Sequence, residues 1–299
     1  MSAKAVREYR GKKLVAYHVQ EVSKGQHVID DRSVLITRDT DLETLPNDGN
    51  TNNSWLLSER LVVKPDQLIK RRGKAGLVGI NLSWKDVKVW IAQRMETEIT
   101  LEGKVTGQLH TFIVEIFVAH TPDEEYYVCL QSNRTGEELL FHHEGGIDVG
   151  NVDAKAHRVH IDIAAALTTQ DLLQTTDGVL SGVPAARRET LASFIVTLLA
   201  VYRKLNFTYM EINPIVFGHD GTIVPLDLAA KIDETAAFLN SHEWSQPIPG
   251  PLDFPAPFGR AEFPEEAYIR SLDSKTGASL KLTVLNPTGR IWTMVRLVL

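Results

Sequence analysis

The sequence predicts an α+β or mixed α/β fold, in which hairpin-paired strands alternate with amphipathic helices. Two strand-like runs flank a basic, glycine-bearing loop near residue 70, and two turn-rich segments predict hairpins. A long segment between the hairpins repeats its apolar residues at helical spacing. Strands and helices interleaved in this way are typical of the mixed fold classes.

The first half of the chain predicts one helix and three strands. Residues 1–14 carry basic side chains and Glu8 without an apolar core, which indicates a first helix rather than a secretory signal. The strands are predicted from β-branched and apolar runs at residues 61–64, 77–82 and 111–118.

Turn chemistry predicts the two hairpins. Asn133 and Gly136 stand in the first turn, and Asp220 and Gly221 stand in the second. The strands predicted to pair are 126–130 with 139–142, and 211–217 with 222–228. Between the hairpins, apolar residues from Leu191 to Leu205 recur at intervals of three and four, which predicts a helix.

The clearest change of composition is a proline-rich segment near residue 250. Five prolines exclude a helix interior and a central strand there, and they are Pro247, Pro249, Pro251, Pro255 and Pro257. We therefore expect a body at residues 1–245, a linker at 246–262 and the start of another domain at 263–299. That last segment contains two strand-like runs, 280–285 and 291–295, around a turn at 286–289.

Composition excludes several classes of function. The 299 residues are 43% hydrophobic and 23% charged, which is typical of globular proteins. A net charge of -6 argues against general nucleic-acid binding, and no apolar run approaches the roughly 18 residues of a membrane span. The single cysteine, Cys129, stands in an apolar run, so we expect a buried thiol and a cytosolic protein.

The basic loop is the first candidate for chemistry. Lys64 ends a predicted strand, and Arg72 and Gly73 follow in a loop with a second glycine. Glycine allows backbone N–H groups to approach phosphate closely, so this pattern suits a polyphosphate. A solvated basic loop or a nuclear-import signal would have the same composition.

The second predicted hairpin is a candidate metal site. If its turn is centred on Asp220, Asn213 faces Asp227, and Glu211 lies on the same face. Carboxylate and amide oxygens are the ligands that commonly hold Mg²⁺ beside a nucleotide. Spacing alone fits equally well a hairpin whose polar residues lie on a solvent-exposed face. Asp227, however, lies between two leucines, and a carboxylate within an apolar run needs an interaction partner.

The third candidate is a strand that runs into a glycine-rich turn. His142 and His143 are adjacent on the predicted strand and should point to opposite faces, which argues against a shared zinc ion. Glu144, Gly145 and Gly146 are better interpreted as a shaped turn that docks on a partner or on a moving catalytic segment.

Several ordered blocks of residues together resemble the amino-terminal region of the ATP-citrate lyase family. The blocks are residues 61–74, 141–150, 209–214, 226–231, 258–260, 264–269, 272–283 and 290–295. The resemblance covers nearly the whole chain and is looser at residues 17–53 and 161–186. It implies an ATP-grasp fold of two small α+β lobes, like that of the succinyl-CoA synthetase β subunit, holding Mg-ATP.

The resemblance also implies roles for individual residues. Lys64, Arg72 and Gly73 match contacts to nucleotide phosphates. Around the adenine and ribose, the matching residues are Ile116, Val118 and Glu125, with Ile116 standing where the family pattern has proline. Asn213 and Asp227 match positions that organise the metal and the phosphates. The Glu144-Gly145-Gly146 turn matches the one that meets a segment bearing a phosphohistidine.

In the family, ATP phosphorylates a histidine, and citryl-CoA then forms and is cleaved to acetyl-CoA and oxaloacetate. The family continues beyond Val295 into a glycine-rich citrate-binding turn, whereas this sequence ends with residues 296–299. The resemblance therefore implies that citrate, CoA and the phosphohistidine require other regions or a second subunit. It also implies that the assembled enzyme is an oligomer. The alternatives are a β subunit of another acid–CoA ligase and an inactive nucleotide-binding fragment.

Overall fold

The computed structural model describes nine stretches of the chain. They are residues 3–47, 52–101, 105–146, 152–163, 165–174, 178–218, 221–260, 263–276 and 280–293. The chain divides into two compact units, residues 1–258 and residues 259–299.

Strands and helices alternate through the first unit. The strands are β1 Ala3–Val6, β2 Ser33–Thr37, β3 Leu61–Pro65, β4 Gly79–Leu82, β5 Glu98–Leu101, β6 Val105–Gln108, β7 Thr111–Ile116, β8 Glu125–Ser132, β9 Gly136–His142, β10 His157–Asp162, β11 Phe207–Phe217, β12 Ile223–Pro225 and β13 Leu228–Asp233. The helices are α1 Glu8–Val22, α2 Trp55–Ser58, α3 Trp84–Ala92, α4 Val152–Lys155, α5 Thr169–Leu173, α6 Ala185–Lys204 and α7 Ala237–Trp244. The second unit contributes α8 Pro264–Thr276.

Two antiparallel sheets organise the first unit. The larger sheet has the order β1-β13-β11-β8-β9-β10, with β12 paired to β11, and the smaller has the order β2-β7-β3-β4. Helices α1 and α6 pack with the larger sheet around one apolar core, and α3 packs on the smaller sheet around a second. A mixed α/β fold is therefore confirmed.

Most predicted elements are confirmed. Strands β3, β4 and β7, both hairpins and helix α6 lie where the sequence indicates, and Cys129 is buried in β8. The second turn's His219 and Asp220 lie outside the described residues.

Two predictions are wrong. Residues 1–14 do not form one helix, because β1 pairs with β13 over Ala3–Val6 and α1 begins only at Glu8. Residues 280–285 and 291–293 form no strand, although the turn between them is present, with Gly289 N donating to Asn286 O at 3.0 Å. A strand needs a neighbour for its backbone groups, and none of the described residues of the second unit supplies one. Residues 294–295 lie outside the described ranges.

The proline-rich segment has neither helix nor strand from residue 246 to residue 260. Its apolar residues are nevertheless packed, since Leu252 and Phe254 contact the larger core and Phe258 joins the smaller one. The division at residues 245 and 262 stays a prediction. In the part of the chain described, no helix has the length and apolar character needed to cross a membrane.

The amino terminus of α1 is capped by a distant side chain. Arg7 precedes the helix and makes no side-chain cap, but Asp66 Oδ1 accepts from Glu8 N at 2.9 Å and from Tyr9 N at 3.4 Å. Arg7 Nη1 donates to Asp66 O at 2.7 Å. Burial, followed by the nearby charge of Glu8, raises the pKa of Asp66 to about 6. The loop after β3 is thereby fixed to the start of α1.

This cap predicts a pH-dependent stability. Because the pKa of Asp66 is raised in the folded state, that state binds more protons than the unfolded chain between about pH 4 and pH 6, and stability is lost as pH rises through this window. Asp66→Asn keeps an acceptor without the charge. We expect the variant to gain on the order of 2 kcal/mol relative to wild type between pH 4 and pH 7.

Urea unfolding of both proteins across that range measures the difference. Asp39→Asn, at an exposed turn position, is the control and should give a difference that does not change with pH. If the difference in unfolding free energy between wild type and Asp66→Asn is also independent of pH, the raised pKa assigned to Asp66 is contradicted.

Candidate functional site

A cavity of about 860 Å³ lies within the first unit, lined by residues of both sheets and of the chain between β7 and β8. All eleven residues to which the resemblance assigns a role line it: Lys64, Arg72, Gly73, Ile116, Val118, Glu125, Glu144, Gly145, Gly146, Asn213 and Asp227. These residues come from five separate parts of the sequence, so the fold creates the grouping.

Lys64 is held at the cavity wall by three acceptors. The β3 strand directs its side chain towards the larger sheet, where Nζ donates to Leu226 O at 2.6 Å and to Glu8 Oε1 at 2.6 Å. Glu115 Oε2 lies 3.0 Å from the same nitrogen. Burial alone would lower the pKa of Lys64, but the charges of Glu115 and Glu8 outweigh it and raise the pKa above its ordinary value. The ammonium therefore stays charged.

Arg72 is the member of the basic loop that turns inwards, whereas Lys70, Arg71 and Lys74 are exposed. Its Nη1 donates to Pro65 O at 2.8 Å, and its Nη2 donates to Glu8 and, at 2.7 Å, to Asp227 Oδ1. Burial opposes the charge, but Glu8 and Asp227 raise the pKa of the guanidinium. A permanent cation thus faces the cavity beside the predicted metal ligand.

Sequence reasoning missed the charged residues behind this wall. Glu8 pairs with Lys12, Lys64 and Arg72, and Lys12 Nζ also lies 2.7 Å from Glu115 Oε1. Burial would raise the pKa of Glu8, but the charges of Arg72, Lys12 and Lys64 hold it well below its ordinary value. Two signals could have found them: the i,i+4 pair on α1, and a glutamate within the apolar β7 run.

The connection from β7 to β8 forms another wall of the cavity. Ile116 pairs with Leu61 at the end of β7, and Val118 follows outside any helix or strand. His120 lies between two acceptors, with Nδ1 2.7 Å from Val118 O and Nε2 2.8 Å from Glu125 Oε1. The imidazole thus fixes the Glu125 carboxylate against the Val118 backbone.

The turn at Gly145 and Gly146 is packed too closely for side chains. Gly145 N donates to Glu125 O at 2.8 Å, and a Cβ at Gly145 would lie 2.8 Å from Tyr126 O. Gly146 has a φ of +93°, and a Cβ there would lie 2.1 Å from Glu125 Oε2. Glycine is therefore required at both positions. Of the longer motif, residues 147–150 lie outside the described ranges.

Asn213 and Asp227 form a set of oxygen donors at the end of the second hairpin. Asn213 N donates to Asp227 O at 3.1 Å, which confirms that the two residues face each other. Asn213 Oδ1 accepts from Gly146 N at 2.8 Å, and the Asp227 side chain is 49% exposed. An accessible carboxylate beside an amide oxygen fits the ligand preference of Mg²⁺.

Glu211 does not join this donor set. The register of β11 shifts between Ile212 and Ile215, which interrupts the alternation that predicted a shared face. Glu211 instead accepts a hydrogen bond from the Tyr209 hydroxyl and does not line the cavity.

The two histidines before the glycine turn do not point to opposite faces. Their rings stack with centroids 4.7 Å apart and planes at 22°. Strand β9 ends at His142, so the alternation of a strand does not extend to His143. His142 Nδ1 lies 2.9 Å from Glu144 O, and His143 lines the cavity.

Taken together, the cavity offers cations, an oxygen donor set and an apolar wall. Lys64, Arg72, Asn213 and Asp227 all line it, and Asp227 pairs with Arg72. Val62, Val78 and Ile80 supply apolar surface nearby. This combination can hold a polyphosphate with its metal while a flat apolar group packs against the wall.

Comparisons with known proteins agree with this chemistry. Residues 2–244 match the model of the ATP-citrate synthase ATP-grasp domain, and residues 260–296 match that of the ATP citrate lyase citrate-binding domain. Bovine ATP-citrate synthase is 50% identical over 295 residues, which are 99% of this chain and 26% of the bovine protein. The chain thus spans about a quarter of that relative.

Two further relatives have lengths closer to that of this chain. Probable ATP-citrate synthase subunit 2 of Schizosaccharomyces pombe is 38% identical, with 99% of this chain and 69% of the yeast protein covered. The structure of ATP citrate lyase from Methanothrix soehngenii, in complex with citrate and coenzyme A, superposes with a TM-score of 0.79. It is 37% identical and covers 98% of this chain and 65% of that one. The chain therefore belongs to the ATP-citrate synthase family, and its first 244 residues carry that family's ATP-grasp domain.

Proposed function

We propose that this chain binds Mg-ATP in the cavity and supplies the nucleotide site for the phosphorylation step of an ATP-citrate lyase. The observation that carries the proposal is the Arg72–Asp227 ion pair at 2.7 Å, which places a phosphate-binding cation beside a metal-binding carboxylate in one cavity. When Mg-ATP binds, a phosphate group would pair with Arg72 and the metal would bind Asp227, in place of the ion pair between the two residues.

Each part of the cavity suits one part of the nucleotide. Lys64, Arg72 and the backbone at Gly73 would bind the phosphates. The backbone of Ile116 and Val118 would contact the adenine, and Glu125 would accept from the ribose hydroxyls. This division is supported by the lining of the cavity, which contains all of these residues together with the apolar Val62, Val78 and Ile80.

Asn213 and Asp227 would hold Mg²⁺, which supplies electrostatic stabilisation of the transferring phosphoryl group. The protein's own part in catalysis would be to position the nucleotide and to neutralise charge, because the cations are already fixed by Glu8, Glu115 and backbone oxygens. No nucleophile of this chain is required, and His142 and His143 have no assigned role in phosphoryl transfer.

The remaining steps require other regions or subunits. The Glu144-Gly145-Gly146 turn would meet the segment that carries the phosphohistidine, and citrate and CoA would bind with regions beyond this chain. The S. pombe relative is named a subunit and the Arabidopsis thaliana relatives are named alpha chains, which supports assembly with a second chain into an oligomer. We place this assembly in the cytosol. With the complementary regions added, citrate rather than succinate should drive CoA consumption.

Removing the proposed metal ligand should abolish the effect of Mg²⁺. A ligand at about 100 times its dissociation constant adds roughly 2.7 kcal/mol to stability. We expect Mg²⁺ with ATP to raise the melting temperature of the wild type more than ATP alone. Asp227→Ala should lose this Mg-dependent increment because alanine offers no oxygen ligand.

Thermal unfolding with ATP, with and without excess Mg²⁺, measures the increment. Asp39→Ala removes an exposed carboxylate elsewhere in the first unit and should behave as the wild type. Retention of the full increment in Asp227→Ala would refute the metal assignment.

A methyl group at Gly146 should displace Glu125 and weaken nucleotide binding. Gly146→Ala places a Cβ against Glu125 Oε2, whereas Gly25→Ala has a similar φ of +81° with nothing within 4 Å. Both variants should lose about 1 kcal/mol of stability from the backbone alone. ATP affinity, measured by calorimetry, should fall by about tenfold or more only in Gly146→Ala. Equal affinities in the two variants would contradict a role for Glu125.

A further inference from the structure

Two charged residues of α1 lie directly behind the proposed phosphate cations without lining the cavity. Glu8 and Lys12 are one helical turn apart, and their side chains are only 4% and 3% exposed. Glu8 contacts both Lys64 and Arg72, which do line the cavity. A ligand in the cavity would therefore be affected by Glu8 and Lys12 through their charge rather than by contact.

The residues that are joined by ion pairs around Glu8 balance in charge. Three cations, Lys12, Lys64 and Arg72, are paired with three carboxylates, Glu8, Glu115 and Asp227. Every pair distance is 3.0 Å or less. A nucleotide's phosphates must consequently compete for Lys64 and Arg72 with carboxylates that already neutralise them.

The position of each cation does not depend on Glu8 alone. Lys64 Nζ also donates to Leu226 O and pairs with Glu115, and Arg72 Nη1 donates to Pro65 O. Glutamine at position 8 would keep the shape and one acceptor oxygen. The change Glu8→Gln would thus remove a charge while the anchors of both cations remain.

We infer that Glu8 is an internal counter-ion that lowers the affinity of the site for polyphosphate and makes it favour the Mg complex over free nucleotide, with Lys12 opposing it. The inference rests on the proposed nucleotide site. Free ATP carries roughly twice the net negative charge of Mg-ATP, so a carboxylate behind the cations penalises the free form more. Lys12 acts in the opposite sense because it neutralises Glu8 and Glu115.

The two residues should shift affinity in opposite directions. In Glu8→Gln, free ATP should bind at least tenfold tighter and Mg-ATP should gain less, because two unit charges within about 12 Å of each other change affinity by a factor of ten or more at an effective dielectric constant of about 20. In Lys12→Met, both forms should bind more weakly, and free ATP should lose more. The double variant restores the charge balance and should bind close to the wild type.

Isothermal titration of the full chain with ATP, with and without Mg²⁺, measures these affinities. Glu21→Gln is the matched control, since it removes one negative charge from the other end of α1, where the carboxylate is 46% exposed, and should change nothing. Tighter binding in Glu8→Gln with a smaller preference for Mg-ATP supports the inference. Unchanged or weaker binding would overturn it and indicate that the carboxylate only positions the cations.

The result remains decisive if one variant does not fold. If Glu8→Gln does not fold, Lys12→Met and the charge-balanced double variant still show in which direction each charge shifts the affinity for ATP. Equal affinities in Lys12→Met and wild type would overturn the inference. Failure of the proposed function is distinguishable, because the wild type itself would then bind no Mg-ATP.

Discussion

The buried ion cluster around Glu8 is the interaction on which the rest of the site depends. Its members come from α1, from β3 and β7 of the smaller sheet, and from the loop that follows β3. Through Leu226 O and Asp227 it also reaches the hairpin of the larger sheet. Buried charges are costly unless each has a partner, so loss of one member would leave others uncompensated. The cluster therefore fixes how the two sheets enclose the cavity.

The neutrality of this cluster would determine how strongly a nucleotide binds. The cations are positioned before any ligand arrives, which reduces the reorganisation needed on binding. The cations already have carboxylate and carbonyl partners. The binding free energy of a phosphate is therefore only the difference between its interactions with the cations and the interactions that it replaces. Asp227 is the most exposed carboxylate of the cluster, and it is the one whose release from Arg72 a bound metal would compensate. Preorganisation and the proposed role of the metal would thus both follow from the same arrangement.

The sequence predicted the elements and the cavity residues better than the contacts behind them. Local signals were sufficient for the hairpins, for α6 and for the glycine turn, because turn residues and periodicity act over a few positions. Glu8 lies 56 residues from Lys64 and 64 from Arg72, and no local pattern reports such pairs. The failures have the same origin: β1 forms because β13 lies beside it, and residues 280–285 have no such neighbour among the described residues.

Backbone geometry links the two ends of the proposed nucleotide site. The glycine turn after β9 receives its restraints from Glu125 on one side, through Gly145 N, and from Asn213 on the other, through Gly146 N. The proposed ribose contact and the proposed metal ligand are therefore joined by two consecutive peptide groups. A segment that docks on this turn would be aligned with both without touching the nucleotide's base. A Cβ at Gly145 would meet the Tyr126 backbone, and one at Gly146 would displace the Glu125 carboxylate, so that alignment depends on close packing as much as on charge.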